Sequence, residues 1–135
     1  MEMYRRNLGI LSKAVSLPEI GEASWGYISR SRSFHLPGAV GAHRVDCVRT
    51  PSVEEFDMFH EWADGNIAIL TLAPEQPEAL KLIEHASSLG VIVMYGHHLA
   101  DIASMQRGLE AGAKGCTHVG NGLPNEIHRH NNPLW

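Results

Sequence analysis

Apolar positions along the chain alternate between two periods. From about Tyr4 to Val15, Leu8, Leu11 and Val15 recur at helical spacing and Pro18 follows as a stop, which predicts a first helix. Pro51 followed by Ser52-Val53-Glu54-Glu55 opens a second, with Ser52 as cap and Glu55 placed to reach back in a capping box; Val53, Phe56 and Ala63 fall on its buried side. Ile67 to Leu72 is a six-residue apolar run between Gly65-Asn66 and Pro74, too short for a helix, and it reads as a strand buried on both faces. A helix from about Gln76 to Leu89 carries Ala79, Ile83 and Ala86 on one face, with Pro77 near its start and Gly90 past its end. The strand Val91 to Tyr95 comes next. A helix from about Ala100 to Ala111, with Ile102, Met105 and Leu109 inward, leads to the short strand Gly115 to Thr117.

Strand, helix, strand, helix, strand predicts βαβ units and a parallel sheet. The three to four units expected here cannot close a barrel of eight, which takes roughly 250 residues. Two architectures remain: a small open α/β domain, or part of a (β/α)8 barrel. At 135 residues and 44% hydrophobic content the chain can bury a core, and a single unit spanning 1–135 is expected.

Charge narrows the partners. Fifteen acidic and eleven basic residues give a formal charge of −4, so no basic footprint for nucleic acid or an anionic membrane is expected, and a small molecule is the better partner. The N-terminal stretch has positive charge before apolar residues, but Ser12 and Lys13 interrupt it too early for a signal core or a membrane span. Cys47 and Cys116 lack metal-type or redox-type spacing and suit a reducing cytoplasm as plain core thiols.

Nine histidines change the picture more than any other residue type. Two strands run directly into histidine, one at Gly96-His97-His98 and one at Thr117-His118, so two imidazoles reach the carboxyl ends of neighbouring parallel strands. That edge is where α/β folds place their sites, and imidazole is the commonest transition-metal ligand near neutral pH. A strand-end histidine by itself is more often a hydrogen-bonded cap; two on adjacent strands weigh equally for a shared ion.

The stretches TLAPE (Thr71 to Glu75), GVIVMYGHH and AGAKGCTHVGNG, in this order and spacing, resemble the N-acetylglucosamine-6-phosphate deacetylases of the amidohydrolase superfamily. The likeness extends back through Gly41-Ala42-His43 and Arg49-x-Pro51 and covers most of residues 41–135. The resemblance implies a partial (β/α)8 barrel and metal-dependent hydrolysis of an acetamide in aminosugar metabolism. It implies a divalent cofactor, zinc first, with iron, manganese or cobalt as alternatives. By position His97 and His118 match the family's metal histidines, while Ala42, His43, Asn121, Gly122 and Arg129 match groups that contact N-acetylglucosamine 6-phosphate. His98 stands where the family has a small polar residue and is read as support for the ligand histidine; Glu75 is read as a structural carboxylate near a helix start.

The sequence departs from the family at two points. The family's third ligand is the glutamate of a His-Leu-Glu-Gly-Pro strand end, but Ile28 to Val40 contains no acidic residue, and His35-Leu36-Pro37-Gly38 echoes the motif without it. A one-base shift could turn Ile28 to Phe34 into His-Leu-Glu-Val-Pro-Phe-Phe, which suggests a local frame slip. The proton-carrying aspartate of a later strand has no counterpart before Trp135. An incomplete catalyst is therefore expected, with a non-catalytic remnant that binds a phosphosugar or partner chain as the alternative, and with self-association or dependence on the missing barrel half through uncovered strand edges.

Overall fold

The computed structural model describes residues 1–21, 27–29, 34–120 and 122–134. Helix α1 spans Glu2–Val15 and the short α2 Pro18–Gly21; strand β1, Tyr27–Ser29, precedes helix α3, Val53–Trp62. Then β2 (Ile67–Leu72), α4 (Ala79–Ser88), β3 (Ile92–Tyr95), α5 (Ile102–Glu110) and β4 (Gly115–Cys116) alternate as the sequence predicts. Among the described residues the four strands form one sheet in the order β1-β2-β3-β4, all parallel.

Register sorts the strand residues into two faces. Leu70 lies beside Val93 and Leu72 beside Tyr95; all four are buried in one cluster with Phe56, Phe59, Leu82, Ile83 and Ala86 of α3 and α4. The helices therefore cover this face. The other carries Ile69, Thr71, Ile92 and Met94; on β2 this face has Ile67 and Thr71 buried and Ile69 half-buried, in line with a strand covered on both faces, whereas Ile92 of β3 is 46% exposed.

Local punctuation explains the boundaries. Ser52 caps α3 by accepting from the Glu55 amide at 3.1 Å, as expected, but the Glu55 carboxylate pairs with Arg49 Nε at 3.1 Å. Helix α4 starts at Ala79, three residues later than predicted, because Gln76 to Glu78 form a turn and Glu78 takes a left-handed backbone with φ 63°. Asp101 caps α5 through the Ser104 amide at 2.7 Å.

Two assignments of inward residues fail. Ile102 (71% exposed) and Leu109 (51%) face outward, and α5 instead buries Ser104 and Gly108, with Met105 packed on the core. Tyr95 sets this orientation: its hydroxyl donates to the Met105 carbonyl at 2.7 Å, and a Cβ at position 108 would collide with the phenol. A small face, not an apolar stripe, fits the helix over the tyrosine. Likewise Leu11 of α1 is exposed, while Leu8 and Ser12 are buried and Tyr4 lies 5.3 Å from the Phe59 ring. Among the described residues no helix is long and apolar enough to cross a membrane.

Candidate metal centre

Beyond its last residue, β3 turns sharply and presents His97. Both His97 (φ 56°) and His118 (φ 31°) adopt the left-handed backbone that side-chain-bearing residues seldom take. Such strain costs of order 1–3 kcal/mol and concentrates at functional sites. The two rings meet edge to face, with centroids 4.8 Å apart, at the carboxyl edge of the sheet.

Beneath them the floor is polar and tightly fitted. Thr71 Oγ1 and Thr117 Oγ1 lie 3.1 Å apart, hydrogen-bonded from β2 to the end of β4 past Gly96. A Cβ at Gly96 would come within 2.6 Å of Thr71 Cγ2, so only glycine lets these threonines meet.

His97 is held from several sides. Its Nδ1 lies 2.9 Å from the Ala39 carbonyl, which can only accept, so Nδ1 carries the proton and Nε2 keeps its lone pair. Gly122 admits this contact, since a Cβ there would collide with Nδ1 and approach the Ala39 oxygen to 3.0 Å; a Cβ at Gly41 would stand 3.2 Å from His97 Cε1. A backbone carbonyl that fixes one imidazole nitrogen is the usual support behind a ligand histidine.

His35 and His43 join His97. The Phe34-His35-Leu36 segment crosses the sheet edge: Ala73 N donates to Phe34 O at 2.9 Å, and Leu36 N donates to His97 O at 3.0 Å. Gln76 Nε2 donates to His35 O at 2.6 Å. His35 is only 2% exposed and stacks on His97 with centroids 4.1 Å apart, while His43 lies 4.7 Å from each ring. One donor nitrogen from each of the three comes within 4.8 Å of the others, and this group contains no carboxylate.

Of the residues singled out from sequence, Ala42, His43, Gly122, His97 and His118 line one cleft. Arg129 does not join them: it is exposed in a 3-10 turn, Arg129–Asn131, and borders a separate groove with Asp101 and Ile127. Asn121 and most of the Ile28 to Phe34 segment lie outside the described residues. His98 lines a small adjoining pocket with His97 and His118, its ring 6.0 Å from Tyr95 and its Nδ1 accepting from Ala100 N at 3.3 Å. Burial, and next the neighbouring His97, holds His98 below the ordinary imidazole range. His35 is the residue that sequence reasoning missed; its one signal was an echo of a motif whose glutamate is absent.

Glu75 has a structural contact, but not at the start of α4. Its Oε1 accepts from Leu99 N at 2.5 Å and ties down the loop after His97 and His98, while Oε2 is buried without a hydrogen-bond partner among the described residues. Burial raises this carboxyl above its usual range against hydrogen bonds from Leu99 and its own backbone. A carboxyl raised by folding stabilises fully below its unfolded pKa, and that stability is lost as pH rises through the folded value. Glu75→Gln keeps an acceptor for Leu99 without the charge, so thermal melts should show it more stable than wild type at neutral pH, with the gap closing in acid. A gap independent of pH would contradict the burial effect.

A histidine group on the carboxyl edge of a parallel sheet defines an α/β protein with a metal-capable site. No family model matches the sequence. An N-acetylglucosamine-6-phosphate deacetylase of Vibrio furnissii is 37% identical over 89 residues, 66% of this chain and 22% of that protein. One from Bacillus subtilis is 35% identical over 96 residues, 71% of this chain and 24% of that protein. The crystal structure of the Mycobacterium smegmatis N-acetyl-D-glucosamine-6-phosphate deacetylase superposes with a TM-score of 0.83 at 26% identity, over 98% of this chain and 34% of that one. Its D267A mutant in complex with N-acetyl-D-glucosamine-6-phosphate gives 0.80 at 25% identity, over 98% and 33%. The chain belongs, as a partial chain, to the N-acetylglucosamine-6-phosphate deacetylases, and it spans about a quarter of the length of the curated relatives it matches.

Proposed function

We propose that the chain is a sector of a (β/α)8 deacetylase barrel in which His97 and His118 hold a divalent ion beside a site for N-acetylglucosamine 6-phosphate. The observation that carries this reading is the meeting of both strand-end rings, 4.8 Å apart, on a strained backbone at the carboxyl edge. The strand order supports it: consecutive parallel strands without reversal follow barrel winding, whereas a doubly wound sheet reverses at a switch point. The half-exposed Ile92 face would be the barrel interior, covered by further strands or by a second copy of the chain.

The chain's own residues orient the site. Ala39 fixes the His97 tautomer and Gly122 allows the fit; Ala42 and His43 line the cleft toward the sugar, with Asn121 assigned to the same substrate by family position. Bound there, a divalent ion would supply Lewis acidity toward an acetamide carbonyl. Acid–base work in such hydrolysis calls for a group such as a carboxylate, and the histidine group contains none.

Ligand-dependent melting tests the substrate assignment. N-acetylglucosamine 6-phosphate should raise the melting temperature more than N-acetylglucosamine, with stabilisation of about 2.7 kcal/mol at a ligand concentration about a hundredfold above Kd. Equal shifts with the two sugars would overturn the assignment.

A further inference from the structure

We propose that His35 and His43 are metal ligands with His97, forming a three-imidazole site for a late first-row divalent ion such as Zn²⁺ or Co²⁺. The proposal shares His97 with the reading above and gives His43, placed there beside the sugar, a ligand's role instead; it otherwise stands on its own geometry. Two segments distant in sequence, one carrying His35 and His43 and the other His97, bring three donor nitrogens within 4.8 Å of one another. A tetrahedral zinc ion with Zn–N bonds of about 2.0–2.1 Å needs its donors about 3.4 Å apart, so binding draws the donors together and turns the His35 ring out of its stack on His97 to aim its lone pair at the shared ion.

The site is built rather than incidental. His35 is anchored on both sides by Ala73 N to Phe34 O and Leu36 N to His97 O, and through its own carbonyl by Gln76. His97 has Nδ1 engaged by Ala39, which directs the Nε2 lone pair away from that carbonyl. His43 follows the left-handed Gly41, whose missing side chain leaves room for the His97 ring.

The donor set fixes the ligand class. Neutral imidazoles suit zinc, cobalt, nickel and copper, whereas magnesium, calcium and manganese favour oxygen donors. His118, whose ring centroid lies 4.8 Å from that of His97, is the nearby imidazole from which a fourth ligand would come.

The test is titration of the whole, chelator-stripped chain with Co²⁺, read by the visible d–d absorption of a four-coordinate ion, with circular dichroism to verify folding. Wild type should bind Co²⁺, Zn²⁺ should displace it, and excess Mg²⁺ should not. His35→Ala and His43→Ala should each weaken Co²⁺ by at least about tenfold. Because His35 is buried, His35→Asn serves beside the alanine variant, and His43→Ala tests the same site at a more accessible position. Wild-type Co²⁺ affinity in folded His35 and His43 variants, or no Co²⁺ binding by wild type, overturns the proposal. Loss in His118→Ala but not in the His35 and His43 variants would sink this site and leave the His97–His118 pair; the reverse would sink the pair and leave this site.

Discussion

Replacing His97 with alanine lowers affinity for divalent zinc by about a hundredfold or more, the largest functional effect expected of any single substitution in the chain. Every candidate arrangement runs through this ring: His118 meets it at its edge, His35 stacks on it and His43 approaches it. Loss of a group that only supports a ligand already costs about 10- to 100-fold, so loss of the central ligand costs at least as much. Calorimetric titration of wild type and variant with Zn²⁺ checks this, and because ligation needs the neutral ring, wild-type binding should weaken in acid. Equal zinc uptake by the two proteins would remove His97 from the site and both metal assignments with it.

Phe34→Ala destabilises the fold by about 3–5 kcal/mol, a large share of the roughly 5–15 kcal/mol that holds an ordinary domain together. Phe34 has no exposed surface and packs in the cluster that α3, α4, β2 and β3 share. Its truncation leaves a cavity beneath the segment that carries His35, and neighbours already hydrogen-bonded at Ala73 and His97 are poorly placed to collapse into it. Urea denaturation of the two proteins measures the loss. A change below about 1 kcal/mol would mean that residues 34–36 are only loosely attached to the sheet edge.

The contrast between α3 and α5 shows how far local rules reach. Ser52 caps α3 as its spacing predicts, because a cap involves a side chain and an amide three residues away. In α5 the apolar pattern points to Ile102 and Leu109, yet Gly108 and Ser104 face inward. The deciding contact is with Tyr95 of another element, and helical periodicity carries no information about a neighbour's size. Glu75 repeats the lesson: its position suggested a helix start, but folding brings Leu99 within reach of its carboxylate.

By itself the sequence determined the alternation of strands and helices, the parallel sheet, and the delivery of His97 and His118 to one edge, because these depend on periodicity, punctuation and the chain leaving each strand. It also carried the family resemblance, since short motifs keep their order and spacing. Only the tertiary structure decided that His35 and His43 join His97 while Arg129 borders a separate groove. The reason is physical: His35 reaches the centre through hydrogen bonds donated by Ala73 N to Phe34 O and by Leu36 N to His97 O, across 39 and 61 positions of sequence. No local pattern encodes a contact that exists only once distant strands have taken their places side by side.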